Sequence, residues 1–86
     1  MRISVDKSDP GYSPNFGNYP ILILLDGKPL TGIAITADDV AGFVRFIPLN
    51  FMGTPVFDHR AGDWLKIDRE GVVRIVFLSD LPERVQ

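Results

Sequence analysis

The single histidine, His59, stands between Asp58 and Arg60. An acid beside an imidazole is the pairing that general-base chemistry uses, the carboxylate orienting the ring. Sequence neighbours on an extended chain point apart, however, and the chain has no cysteine to act as nucleophile. Gly53 and Gly62 flank the group, so it reads as a solvent-exposed turn and no catalytic residue is expected. Asp58, His59 and Asp63 would meet around a metal only if their loop folded back on itself, and no metal site is expected. Asp38-Asp39 followed by Gly42 lacks the alternate-position oxygens of a calcium loop. Gly11, Gly17 and Gly27 are not spaced as a phosphate cradle. The few acidic residues lie in turns, which gives no paired-carboxylate site for glycoside chemistry. No cofactor is expected.

The aromatic residues offer a different chemistry. Trp64, with Phe43, Phe46, Phe51, Phe57 and Phe77, has the makings of a base-stacking platform, but such platforms also need a positive groove. Here the nine Lys and Arg residues are scattered singly and the net charge is −2. No nucleic-acid partner is expected, and Trp64, Phe46 and Phe77 read as core. One segment resists a purely structural reading. Pro48 to Phe57 is as apolar as a strand yet is broken by Gly53 and Pro55. Exposed apolar clusters drive association, and Phe and Met are enriched in interface cores. Two readings stay open. Either the loop is a lid folded over an open end of the core, or Phe51, Met52 and Phe57 form a protein interface.

The elements around these residues are short. Residues 2–6 alternate as a strand with Ile3 and Val5 facing inward. From Lys7 to Pro20 the chain carries Pro10, Gly11, Pro14, Gly17, Asn18 and Pro20, a density of breakers that leaves only an ordered loop or arm. Its Tyr12, Phe16 and Tyr19 favour an arm lying on the sheet. Ile21–Leu25, then Asp26-Gly27, then a second apolar alternation signal a hairpin with a type I′ turn. Pro29 cannot donate to a ladder, so pairing is expected to begin after it. In a strand over 30–36, Ile33 and Ile35 share one face and the small Gly32, Ala34 and Thr36 the other. The stretch 37–42 reads as a tight connection or one helical turn capped by Thr36. Phe43–Leu49 is a strand with Val44 and Phe46 inward. Residues 50–63 are mostly loop, with an extended piece at Val56-Phe57. A strand over 64–67 then turns at Arg69-Glu70-Gly71 into a strand over 72–78, and residues 79–86 read as a frayed tail. The fold class is all-β and mainly antiparallel, a small sandwich or partly open barrel of five to six short strands with a long irregular N-terminal loop.

At 86 residues the chain makes one domain, residues 1–86. A chain of this size buries only about 60–65% of its unfolded surface, so its core is thin. Without cysteine, neither disulfides nor thiolate–zinc sites can reinforce it, which fits a reducing cytosol. Hydrophobic residues at 45% and charged residues at 23% place the chain with globular proteins, not disordered ones. Its longest apolar run, Ile21 to Leu25, falls far short of the ~20 residues of a membrane span. The N-terminus turns polar too soon for a signal peptide. The expected partner is therefore itself or another protein, with no membrane. A homo-oligomer is expected because thin β domains with exposed sheet edges invite pairing.

Six short stretches also carry a resemblance. They are Val5-Asp6, Ser8-Asp9-Pro10-Gly11-Tyr12, Leu25-Asp26-Gly27, Thr36-Ala37-Asp38-Asp39, Gly42-Phe43-Val44 and Gly71-Val72-Val73-Arg74-Ile75. In these the chain looks like a set of small uncharacterised proteins encoded in tailed-phage and prophage genomes. The apolar loop over 50–57 departs from the more polar middle of that group. The group has no assigned activity, so no functional residue carries over. The resemblance implies a non-enzymatic structural or assembly protein of a phage particle, acting through sheet edges and the Phe51 loop. A small inhibitor of a host defence protein and a small-ligand-binding β module are the alternatives. Its place would be the host cytoplasm or the phage particle.

Overall fold

The structure is a computed structural model and describes residues 1–13 and 21–77. The described residues contain no helix and form nine short strands: β1 Arg2–Ser4, β2 Ile21–Leu25, β3 Lys28–Pro29, β4 Gly32–Asp38, β5 Phe43–Pro48, β6 Phe57–Asp58, β7 Asp63–Trp64, β8 Ile67–Glu70 and β9 Val73–Phe77. They pair antiparallel into a four-stranded sheet ordered β1-β4-β5-β8, a three-stranded sheet ordered β3-β2-β9, and the hairpin β6-β7. The all-β class is as the sequence implies. The strand number exceeds five to six because two-residue strands form at Lys28–Pro29 and Phe57–Asp58, and because the expected strand over 64–67 divides into β7 and β8, which places Arg69 and Glu70 in a strand instead of a turn. The remainder of the expected arm, with Phe16 and Tyr19, and the expected tail lie outside the described residues.

One core joins the two larger sheets. Ile3, Ala37, Val44 and Phe46 from the four-stranded sheet meet Ile23 and Val73 from the three-stranded one. Their spacing follows strand periodicity on β5, where Val44 and Phe46 point inward and Phe43 and Arg45 outward. Across β2 and β9 the inward pairs are Ile23 with Ile75 and Leu25 with Val73. Phe77 lies half-buried on that face opposite Ile21.

Strand β4 departs from simple alternation. Its partners shift between Ala34, opposite Phe46, and Thr36, opposite Arg45, so Ile35 is an inserted bulge residue. The bulge puts Ala34 and Ala37 together on the core face and turns Thr36 outward, which corrects the expected grouping of Ala34 with Thr36 on one face. It also corrects Val5. The Val5 N–H donates to the Ile35 carbonyl at 2.9 Å, and strand β1 ends at Ser4 with Val5 exposed.

Three turns set the connections. Asp26 and Gly27 have φ of 52° and 82°, the pair of positive angles a type I′ turn requires. Pairing includes Lys28 and Pro29, earlier than expected. Leu30 N–H donates to the Ile23 carbonyl, so Leu24 opposite Pro29 turns its own groups towards β9 and no proline donor is needed. The turn after β4 is capped by Asp38, not Thr36: its carboxylate accepts from Val40 and Ala41 N–H at 3.0 and 2.9 Å. At the same end of the molecule the Asp26 carboxylate accepts from Val72 N–H at 2.8 Å, and Gly71 N–H donates to the Gly42 carbonyl at 3.0 Å. These contacts tie the turns of both sheets to one another.

Candidate functional site

The outward face of the four-stranded sheet divides into two halves. At one end lie Arg2, Ser4, Thr36, Asp38, Phe43, Arg45 and Asp68, placed side by side by the register. The turn over 6–12 folds down on them. Tyr12 bridges to Ser4, and the Ser13 N–H donates to the Ser4 carbonyl at 3.0 Å. Asp9 receives the Arg2 guanidinium at 2.9 and 2.8 Å, in the two-pronged geometry that strengthens such pairs. Arg2 also reaches Asp38 at 3.4 Å, and Arg45 holds Asp68 at 2.8 and 3.0 Å. Both guanidinium groups stand about 5.5 Å from the Phe43 ring, within cation–π range. The Arg2 hydrogen bond, aided by Gly11 N–H, holds the Asp9 carboxyl down to about 2. Beneath this layer the buried Ser4 and Thr36 hydroxyls share a hydrogen bond of 2.8 Å. Every group here is satisfied within the chain, which describes a structural layer and not a vacant site.

The other half of the face is apolar. Ile33 opposes Ile47, both on the side away from Phe46, and Leu49 continues the outward row of β5. Ile33 is 47% exposed. Just beyond Leu49 the chain reverses through Asn50–Gly53. Phe51 at this tip is 99% exposed and Met52 is 76% exposed. The lid reading therefore does not apply to this tip, because a side chain that exposed covers nothing.

The tip is nevertheless held firmly. The Asn50 side-chain oxygen accepts from the N–H groups of Met52 and Thr54 at 2.9 and 3.0 Å. Asn50 N–H donates to the Thr54 carbonyl and Gly53 N–H to the Asn50 carbonyl, at 2.8 and 2.9 Å. Gly53 supplies the positive φ of 77° that closes the reversal. Four of the turn's backbone donors are thus satisfied internally. Such a tip can enter an apolar environment without the cost of stranding those N–H groups. From Phe46 to Phe57 no side chain is ionisable.

Phe57, the third residue of the expected interface, sits apart from the tip. It lies on β6 opposite Trp64 of β7, ring centroids 5.5 Å apart, with the His59 ring at 5.1 Å. Both contacts are edge-to-face, the arrangement aromatic quadrupoles favour. Trp64 is 45% exposed and not in the core, because β7 belongs to this hairpin instead of to either larger sheet. His59 lies exposed in the turn. The Asp58 carboxylate accepts from Arg60 and Ala61 N–H at 3.0 and 3.3 Å instead of orienting the imidazole. Asp63 is engaged by Lys66 at 2.9 Å. Among the described residues no cluster of three or more His, Asp or Glu side chains could hold a metal ion. The described residues also contain no helix long and apolar enough to cross a membrane. Sequence reasoning singles out Phe51, Met52 and Phe57 but does not mark the exposed Ile33 or Trp64, the latter placed by the detached hairpin.

No protein-family model, curated protein or solved structure matches this chain. What its fold and surface define is a class: a small two-sheet β protein with a rigid apolar tip beside an open apolar strip.

Proposed function

We propose that the chain is a non-enzymatic protein-binding module that engages its partner through the Asn50–Gly53 tip. The observation that carries this reading is Phe51, wholly exposed on a turn whose backbone is hydrogen-bonded internally. Large aromatic side chains dominate interface energetics, and a backbone already held in place lowers the entropy lost on association. The chain's short motifs resemble those of tailed-phage and prophage proteins, and on that resemblance the module would be a particle component or assembly protein. The catalytic alternatives have no comparable support, because Asp58, Asp63 and His59 are each occupied by turn contacts or open to solvent.

A photo-crosslinking residue placed at Phe51, with one at Glu70 as control, tests the reading in cells producing the full chain. Discrete protein adducts from position 51 and none from position 70 are expected; adducts with other copies of the chain count among them. Absence of any adduct from position 51 would overturn it.

A further inference from the structure

The tip follows directly on the strip at the end of β5 but differs from it in shape. Phe51 and Met52 project, whereas Ile33, Ile47 and Leu49 lie along the sheet beside them. We infer that the partner is a second copy of this chain, docked so that each copy's tip rests on the other copy's strip. This rests on the protein-binding reading and names its occupant.

Three features carry it. The first is reciprocity. A two-fold dimer requires that a contact between one region and another be repeated with the copies exchanged. A projecting element next to a receptive one meets that requirement, since tip-on-strip occurs twice per dimer.

The second is area. A stable interface takes about 800 Å² from each partner. A Phe side chain offers on the order of 150–250 Å², so two tips meeting head-on fall far short. Laying each tip on the opposite strip adds the exposed part of Ile33 and the half-buried Ile47 and Leu49 to each copy's share. Phe57 and Trp64, both close to half exposed on the neighbouring hairpin, can extend the contact at its rim.

The third is charge. Nothing ionisable lies between Phe46 and Phe57. The nearest cation on that row of β5, Arg45, is occupied by Asp68 through two hydrogen bonds. Two copies can therefore approach on this surface without burying a free charge or setting like charges face to face, despite their shared net charge of −2.

Sedimentation velocity over a micromolar concentration series tests the arrangement. The wild-type chain is expected to form a dimer. Phe51→Ser with Met52→Ser removes the tip, and Ile33→Glu removes the strip. Each is expected to weaken the dimer by more than about tenfold, with β-type circular dichroism retained. Ile33→Ser serves as the milder strip variant should the charge disturb folding. The decisive measurement mixes the tip variant with the strip variant. One intact tip-on-strip contact survives in the mixed pair, so a hetero-dimer is expected that is tighter than either variant alone and weaker than wild type. A wild type that stays monomeric at high micromolar concentration overturns the second-copy inference. Crosslinks from position 51 to a different protein would then leave the protein-binding reading standing. A dimer unaffected by the tip variant, or a mixture no tighter than its components, also overturns it.

Discussion

The two halves of the outward face of the four-stranded sheet are built from the same pair of central strands and treated in opposite ways. On one half the turn over 6–12 lies over Arg2, Ser4 and Thr36, and the polar groups find partners in the chain itself. On the other half no such cover among the described residues reaches Ile33, and the side chains of Phe51 and Met52 at the adjoining tip are exposed. The covered half is held by contacts within the chain, and the bare half leaves Ile33, Phe51 and Met52 exposed. Hydrogen bonds stabilise both regions, but at the tip they stop at the backbone and leave the side chains unengaged.

This contrast predicts a graded set of stability effects. The largest belongs to Gly11, where an added Cβ would come within 2.6 Å of Arg2 Cγ and 2.8 Å of the Arg2 carbonyl oxygen. Gly11→Ala should lift the covering turn and cost about 1–3 kcal/mol, the range for overpacking a close contact. Chemical denaturation checks it. A midpoint equal to wild type would show that the turn is not seated on Arg2.

A smaller loss is expected from Thr36→Val. It removes the 2.8 Å partner of the buried Ser4 hydroxyl and should cost about 1–2 kcal/mol. Ser4→Ala combined with Thr36→Val should cost less than the sum of the two single changes, because both remove the one shared hydrogen bond, while Ser4→Ala also takes the acceptor from the Asp6 N–H at 3.0 Å. A double variant weaker than the sum of the two single ones would contradict the pairing.

Acid should act on the covered half through its carboxylates. Asp9 is held down to about 2 chiefly by the Arg2 hydrogen bond, and Asp38 and Asp6 are lowered chiefly by backbone N–H groups of Ala41 and Ser8. A carboxylate lowered on folding binds fewer protons in the native state. Its contribution is complete above the ordinary value of 3.8 and is lost as pH falls towards 2. The melting temperature should therefore fall over that interval, and Asp9→Asn should flatten the fall. An unchanged slope in that variant would remove Asp9 from the account.

The smallest effect should come from the bare half. Replacing Phe51 and Met52 with serine removes side chains that contact almost nothing within the chain, so unfolding free energy measured on the monomer should move by less than about 0.5 kcal/mol. A loss of several times that would mean that the tip stabilises the fold, and the contrast between the halves would fail.

Much of this was legible in the residues alone. Strand periodicity placed Val44 and Phe46 inward, and the Asp26-Gly27 pair specified its turn because few other residues accept positive φ twice in succession. The apolar character of Phe51 and Met52 in a broken segment marked them as an anomaly, though not as exposed. What the sequence left undetermined depends on contacts between distant segments. The bulge at Ile35 shifts the alternation of β4 by one residue, and only pairing with β5 reveals where the extra residue sits. The shift turns Thr36 outward beneath the loop and gathers Ala34 and Ala37 onto the core face. Trp64 carries no local mark telling a core tryptophan from one on a detached hairpin. Its place is decided by β6, its only strand partner among the described residues. Local steric preference fixes turns and inward faces within a few residues, whereas exposure is a property of everything packed nearby, and the tertiary structure alone assigns it.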